Sequence, residues 1–367
     1  MDAPQHRFQA LDGWRGICAL LIALHHFPAQ GAIWHLPLVR NAWLLVDFFF
    51  VLSGFVITHA YRDRLADFAQ ARSFGVRRFF RLWPLHIAVL AGFVLLELYR
   101  YIATGSGFTG ERSIFALFTN IALIQALGFH TMLTWNTPAW AVSTEFWTYI
   151  IFALVVMLAA RWRIVVSILA VAVSIALLAF CSRYGMRETV GWGLARCVYG
   201  FFLGSLTYEL WSRARRRMNG IAEAAVLLLA FAYLVFVPGN RPLEYLAPPV
   251  FALFVIVFAS DSGLLSRIMA VPFLQKLGQW SYAIYLVQML VIVLTVSALD
   301  SFAPGHTGAG PAGVEYIRLG RGDDAITLAY LAIVIALAAL GWRFIEVPGQ
   351  RIANKIDSTP SHKASIR

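Results

Sequence analysis

The chain has 367 residues, a length that two soluble domains would fit, but 60% of it is hydrophobic and only 13% is charged. Soluble domains run near half apolar and a quarter charged, so an ordinary water-facing fold is excluded and a polytopic membrane protein remains. The formal net charge of +11 is open to three explanations at this point: a nucleic-acid partner, a path for anions, or the asymmetry that orients membrane segments.

A bilayer core of ~30 Å asks for about 20 apolar residues per helix. Eleven runs qualify, near 12–32, 41–61, 82–99, 113–133, 138–160, 164–181, 191–210, 220–237, 246–260, 279–299 and 326–346. The first could pass for a signal peptide, yet it carries His25 and His26 and many further runs follow, so it is read as a retained first span. Residues 300–325 form the longest polar stretch, rich in Gly and Pro, and read as a loop. No internal repeat or linker interrupts the chain. The expectation is one integral membrane domain over 1–367, with spans between about 12 and 346 and a basic tail over 347–367. Cys18, Cys181 and Cys197 have no framework spacing, and no metal-ligand pattern is present.

Basic residues decide the number of crossings. If all eleven runs cross from a cytoplasmic N-terminus, twelve Lys and Arg fall inside and fifteen outside, against the positive-inside rule. If 113–133 is re-entrant or loops back, nineteen fall inside and eight outside, while Arg15, Arg196 and Arg343 lie within spans. The expected fold is therefore an all-α bundle of about ten spans with one non-crossing segment and both termini cytoplasmic, in a membrane of the bacterial inner type.

Ionisable groups inside spans are costly and are functional candidates by default. Here they are Arg15, His25, His26, Asp47, Glu145 and Arg196. Arg15 and His26 are eleven residues apart, which puts them within about 20° of one helix face and roughly 16 Å apart along the axis. Asp47 lies about six residues into its span, or ~9 Å deep, and the ten-span arrangement sets Glu145 and His26 at a comparable depth. A histidine and two carboxylates at one level suit general-base catalysis. The same groups could form the proton relay of a transporter, or pair structurally with Arg196 or Arg15; spacing leaves all three open.

Local sequence adds more. Leu11-Asp12-Gly13-Trp14-Arg15-Gly16-Ile17 with His26 resembles the opening motif of the acyltransferase-3 family of integral membrane acyltransferases, and Val46-Asp47-Phe48-Phe49-Phe50-Val51-Leu52-Ser53-Gly54-Phe55 resembles its second-span motif. Arg77-Arg78-Phe79-Phe80-Arg81-Leu82-Trp83-Pro84 is similar to its Arg-x-x-Arg loop, and Trp140-Ala141-Val142-Ser143-Thr144-Glu145, continuing to Tyr149, to its Trp-Ser-Leu-x-x-Glu segment. Leu277 to Leu286 and Phe344-Ile345-Glu346-Val347-Pro348 resemble its C-terminal signatures. Three positions depart from the pattern: Ala141 stands where Ser is expected, Gln288 where a His is common, and His86 at an aromatic position.

The resemblance implies a ten-span enzyme that moves an acyl group, acetyl in the first instance, from cytoplasmic acyl-CoA to a hydroxyl of a cell-surface or lipid-linked glycan. It implies His26 as general base or transient acyl carrier, with Asp47 and Glu145 orienting or balancing it. Arg15, Arg78 and Arg81 would hold the anionic end of the coenzyme, for which a planar, always charged guanidinium is the better clamp. The donor and the acceptor are the expected partners along with membrane lipid; no metal or nucleic acid is expected. A proton-coupled transporter using the same relay is the alternative, and the lack of an inverted repeat counts against it.

Other features have plainer readings. Arg213 to Arg217 is a topology anchor. Gly305-His306-Thr307-Gly308-Ala309-Gly310 lacks the Lys-Ser/Thr of a phosphate loop. Ser53 is too far from His26 in depth to form a Ser/His dyad. The twelve Trp and thirteen Tyr suit interfacial belts and packing.

Overall fold

The computed structural model describes residues 7–214, 218–309 and 315–358. The basic run 215–217, residue 310 and the tail beyond 358 lie outside them. Ten helices coincide with ten of the eleven apolar runs: α1 Gln9–His26, α2 Leu45–Tyr61, α3 Phe68–Thr104, α4 Ala139–Leu158, α5 Arg163–Ala176, α6 Gly193–Ala214, α7 Gly220–Phe236, α8 Ala247–Phe258, α9 Pro272–Phe302 and α10 Asp323–Gly341. A π-helical turn, Leu177–Cys181, extends α5; another, Trp342–Glu346, joins α10 to a further helix, Val347–Ser358.

Seven helical segments are long and apolar enough to cross a membrane; they contain α2, α3, α4, α5, α8, α9 and α10. The remaining three are shorter or carry charge: α7 is a 17-residue apolar helix, α1 carries Asp12 and Arg15, and α6 carries Arg196 and Glu209. Their charges face protein rather than the periphery. Glu209 meets Arg62 at 3.2 Å and Arg163 at 2.9 Å. The chain is an all-helical polytopic bundle, with one small hairpin.

Two close pairings set the core. α1 packs along α9, and α2 along α6. The second pair is possible because of glycine. A Cβ at Gly54 would run into the carbonyl of Phe201, and one at Gly204 into that of Val51. Small residues on facing surfaces bring two helix backbones together, which is how helices associate where lipid removes the hydrophobic drive. Fully buried Phe50, Phe55, Phe201 and Phe202 fill the space around the contact.

The segment 113–133 contains one helix, Ile114–Ile121, about 12 Å long and too short to cross. Irregular backbone at such a place needs its polar groups satisfied inside the protein. Ser143 Oγ donates to the Leu123 carbonyl at 2.7 Å, Trp147 Nε1 to the same oxygen at 2.9 Å, and Gln125 Nε2 to Ala139 at 3.1 Å. His86, on α3, bonds through Nε2 to the Asn120 carbonyl at 2.9 Å. Its departure from an aromatic thus ties this segment to the bundle.

Two sequence boundaries shift. The Arg77–Pro84 motif, expected in a loop, lies inside α3, which starts at Phe68 because Asp67 caps it by accepting from the Gln70 amide at 2.8 Å. The polar stretch 300–325 is not wholly a loop: Thr307–Ala309 (β1) pairs antiparallel with Glu315–Ile317 (β2). Ile317 also exchanges backbone bonds with Pro28 and Gln30 at 3.0 and 3.1 Å, fastening the hairpin over the end of α1.

Candidate active site

Three cavities follow one another through the bundle. One of about 280 Å³ lies at the Arg7 end and is lined by Arg7, Asp12, Arg15, Tyr61 and Arg78. It shares Arg15, Leu52, Val56, Ile57 and Arg78 with a second, of about 190 Å³, which adds Ser53, Arg81, Glu145 and Tyr149. The second meets a third, of about 540 Å³, at Val46 and Tyr285, and the third holds His25 and His26. The eleven-residue spacing of Arg15 and His26 explains the order: one face of α1 runs along the whole series, with the guanidinium near one end and the imidazole at the other.

The arginines are held differently from one another. Arg15 reaches Asp12 at 3.4 Å. Arg81 forms an ion pair with buried Glu346, from the last motif, and lies 5.5 Å over the Tyr282 ring. Arg78 has no carboxylate partner among the described residues. Its Nη2 donates to the Tyr61 hydroxyl at 3.3 Å, and its guanidinium lies 5.4 Å from the Tyr61 ring centre and 5.9 Å from that of Tyr149. Its Nε is buried with no hydrogen-bond partner. A cation held by aromatic faces keeps its charge for something else. Arg78 and Arg81, three residues apart on a helix, share the face that lines the second cavity.

His26 is oriented by its own helix. Its Nδ1 lies 2.9 Å from the carbonyl of Ile22. A carbonyl only accepts, so Nδ1 carries a proton, and in the neutral ring Nε2 then presents the lone pair that a general base requires. Gln288 is fully buried, interacts with the His26 side chain, and donates through Nε2 to the Tyr285 carbonyl at 3.0 Å. Its Oε1 is buried without a hydrogen-bond partner. The residue that departs from the common His therefore sits beside the imidazole.

The two carboxylates go elsewhere. Asp47, fully buried, makes a two-armed bond with Arg196: Nε to Oδ1 at 2.9 Å and Nη2 to Oδ2 at 2.8 Å. Glu145 faces the second cavity, where Oε1 accepts from both Ser53 Oγ and Tyr149 OH. The two hydroxyls are 3.0 Å apart. No hydrogen bond joins His26 to Asp47 or Glu145 among the described residues. Depth along a helix does not fix direction around it, and the structure turns Asp47 toward α6 and Glu145 toward α2. Arg15, Arg78 and Arg81 are gathered around the second cavity, His26 stands in the next one, and Asp47 is buried behind the wall of that third cavity, paired with Arg196. Ser53, which the spacing argument separates from His26, is a cavity residue bonded to Glu145. Tyr285 and Arg187 also line the third cavity but carry no signal in the spacing of charges, because a tyrosine within an apolar run or an arginine in a loop resembles packing or topology.

The chain matches the acyltransferase-domain family model over residues 8–344. It is 26% identical to the acyltransferase MdmB of Streptomyces mycarofaciens, over 95% of this chain and 93% of that protein. It is 33% identical to protein 2 in the picA locus of Rhizobium radiobacter, over 39% of this chain and 80% of that protein. With the peptidoglycan O-acetyltransferase OatA of Listeria monocytogenes it shares 23% identity, over 92% of this chain and 55% of that protein. No solved structure matches the chain. With its all-helical membrane bundle and a family match over nearly its whole length, the chain is an integral membrane acyltransferase and belongs to the acyltransferase-3 family.

Proposed function

We propose that the protein transfers an acyl group, acetyl first among the candidates, from acyl-CoA to a hydroxyl of a cell-surface or lipid-linked glycan, in a bacterial inner membrane with both termini cytoplasmic. The observation that carries this is the series of cavities with arginines at one end and a tautomer-fixed histidine at the other. Phosphates of the coenzyme would lie against Arg15 and Arg78, with Arg81 deeper. The pantetheine arm would pass Ser53, Glu145 and Tyr149, whose polar groups can bond its amides, and bring the thioester to Tyr285 below His26. The acceptor would enter the third cavity. His26 Nε2 takes the proton of its hydroxyl as the oxygen bonds to the thioester carbon; the C–S bond then breaks, and the imidazolium returns the proton to the thiolate. The products are an O-acyl glycan and the free coenzyme. Of two further relatives, one of Komagataeibacter xylinus is named a membrane-bound transacylase and one of Bacillus subtilis a peptidoglycan O-acetyltransferase; the first name agrees with acyl transfer at a membrane, the second with an oxygen acceptor at a cell surface.

Glu145 in this reading serves the donor rather than the base, and Asp47 holds the chamber wall. The test is acyl transfer from labelled acetyl-CoA in membranes carrying wild type or His26→Ala. General-base loss costs about 10²–10⁴ in rate. An alanine variant that folds and retains full activity would remove His26 from the mechanism.

A further inference from the structure

We propose that the acceptor is an anion, bearing a carboxylate or phosphate near the hydroxyl that is acylated, and that Arg40 selects it. The proposal rests on the acyl-transfer reading above and adds the chemical class of the acceptor. It comes from the charge of the third cavity. At about 540 Å³ this chamber is of the size that takes a small-molecule ligand. Its cationic and imidazole lining is Arg40, Arg187 and Arg196 with His25 and His26; the other ionisable group is the Tyr285 phenol, and neither Asp nor Glu lines it among the described residues.

The carboxylates that neutralise two of these arginines are set behind the wall. Asp47, paired with Arg196, is fully buried; Glu244, which accepts from Arg187 at 2.9 Å, is 1% exposed. Arg40 has no such counterpart. Its side chain makes no ion pair or hydrogen bond among the described residues, and its guanidinium lies 5.5 Å over Trp34. The backbone next to it is tied to α1, because His25 Nδ1 bonds to the Val39 carbonyl at 3.1 Å. Arg40, an exposed residue, thus brings an uncompensated guanidinium to the lining of a concave chamber that also contains the His26 imidazole. Low-dielectric walls focus its field on whatever enters, favouring an anion over its neutral analogue.

A neutral sugar would ordinarily be held by stacking on broad aromatic faces, but both indoles that line the chamber already carry a guanidinium. Trp43 lies under Arg187 at 4.8 Å and Arg196 at 5.4 Å, and Trp140 under Arg196 at 5.5 Å. The chamber offers charge and guanidinium N–H groups in place of a stacking platform, the chemistry suited to carboxylate and phosphate oxygens.

The test uses the full-length protein in zwitterionic nanodiscs, with methyl glucuronide, glucose 1-phosphate and methyl glucoside as probes. Binding is followed by thermal stabilisation, and the same compounds are then offered as acceptors with labelled acetyl-CoA. At least one anionic probe should bind about tenfold or more tightly than the glucoside, and the margin should shrink in high salt and vanish in Arg40→Gln. The glucuronide and phosphate arms report which anion is preferred. Equal or absent binding of the three, or discrimination that survives in Arg40→Gln, overturns the proposal whether or not turnover is seen. Selective anion binding without acyl transfer from acetyl-CoA leaves the acceptor class standing and counts against the acyl-transfer reading. Transfer to glucoside and glucuronide alike does the reverse.

Discussion

Arg78 and Arg81 differ in what their loss would expose, although both line the second cavity. Arg81 neutralises Glu346, which is 1% exposed, so its removal leaves a buried carboxylate unpaired and costs roughly 3–5 kcal/mol of stability. Arg78 has no carboxylate to abandon, so Arg78→Gln should leave unfolding temperature nearly unchanged. It should raise the KM for acyl-CoA about tenfold while kcat changes little, as loss of a charge-assisted bond to phosphate would. An unchanged KM in steady-state assays would contradict the clamp. Asp47 gives the complementary case. Asp47→Ala should lower stability by about 3–5 kcal/mol because Arg196 is then buried without a carboxylate, whereas replacing both partners with apolar residues should recover most of that loss. Thermal unfolding of the single and double variants checks it; equal losses in both would mean the pair is not the source. Sequence alone could identify Asp47 and Arg196 as charges in the wrong solvent, whereas Arg78 and Arg81 read as part of a loop and Glu346 only as part of a motif. It could not say which charge answers which, since that depends on the rotation of each helix about its axis.

At the level of elements, α2 and α6 act as one unit. The motif over Val46–Phe55 is easily read as a catalytic signature because it contains Asp47 and Ser53. Its Gly54 has a structural duty that is equally strict, since only a missing Cβ lets the Phe201 carbonyl come so near. Gly54→Val and Gly204→Val should each separate the two helices at a cost of at least ~1–3 kcal/mol. They should reduce the yield of folded protein in detergent more than they alter the KM of whatever remains. Full folding yield would show that the pair has room to move apart. The hydrophobic runs foretell ten helices, and the charge count foretells that 113–133 does not cross, because both quantities survive without knowing any contact. The extension of α3 back to Phe68 is harder to foresee: Arg72, Arg77, Arg78 and Arg81 make that stretch polar, although Asp67 supplies a good cap. The pairing of Thr307–Ala309 with Glu315–Ile317 is also missed, since Gly-rich sequence argues for turns and the further partner on the Pro28–Gln30 segment is remote in the chain.

Over the whole molecule, the direction of the cavity series follows from the same arithmetic that orients the spans. The arginine end shares its side with the loop that follows α2 and with the helix Val347–Ser358, which packs against α3. The His26 end shares its side with the hairpin, which is bonded to the chain just beyond α1. If nineteen of the thirty basic residues do lie in the cytoplasm, donor and acceptor are delivered from opposite faces, and neither substrate has to cross alone. Accessibility of two introduced thiols tests this. In a variant carrying Ser at positions 18, 181 and 197, Arg318→Cys and Arg351→Cys place a thiol at exposed positions at the two ends. A membrane-impermeant maleimide added to intact cells should label position 318 and leave 351 unlabelled until the cells are opened. Labelling of both positions from the same side would break the ten-span arrangement, and with it the idea that one face of α1 leads from a cytoplasmic coenzyme to an acceptor outside. Labelling on opposite sides but in the reverse sense would keep the fold and turn the chemistry round, with the arginines outside, where acyl-CoA is not available to them.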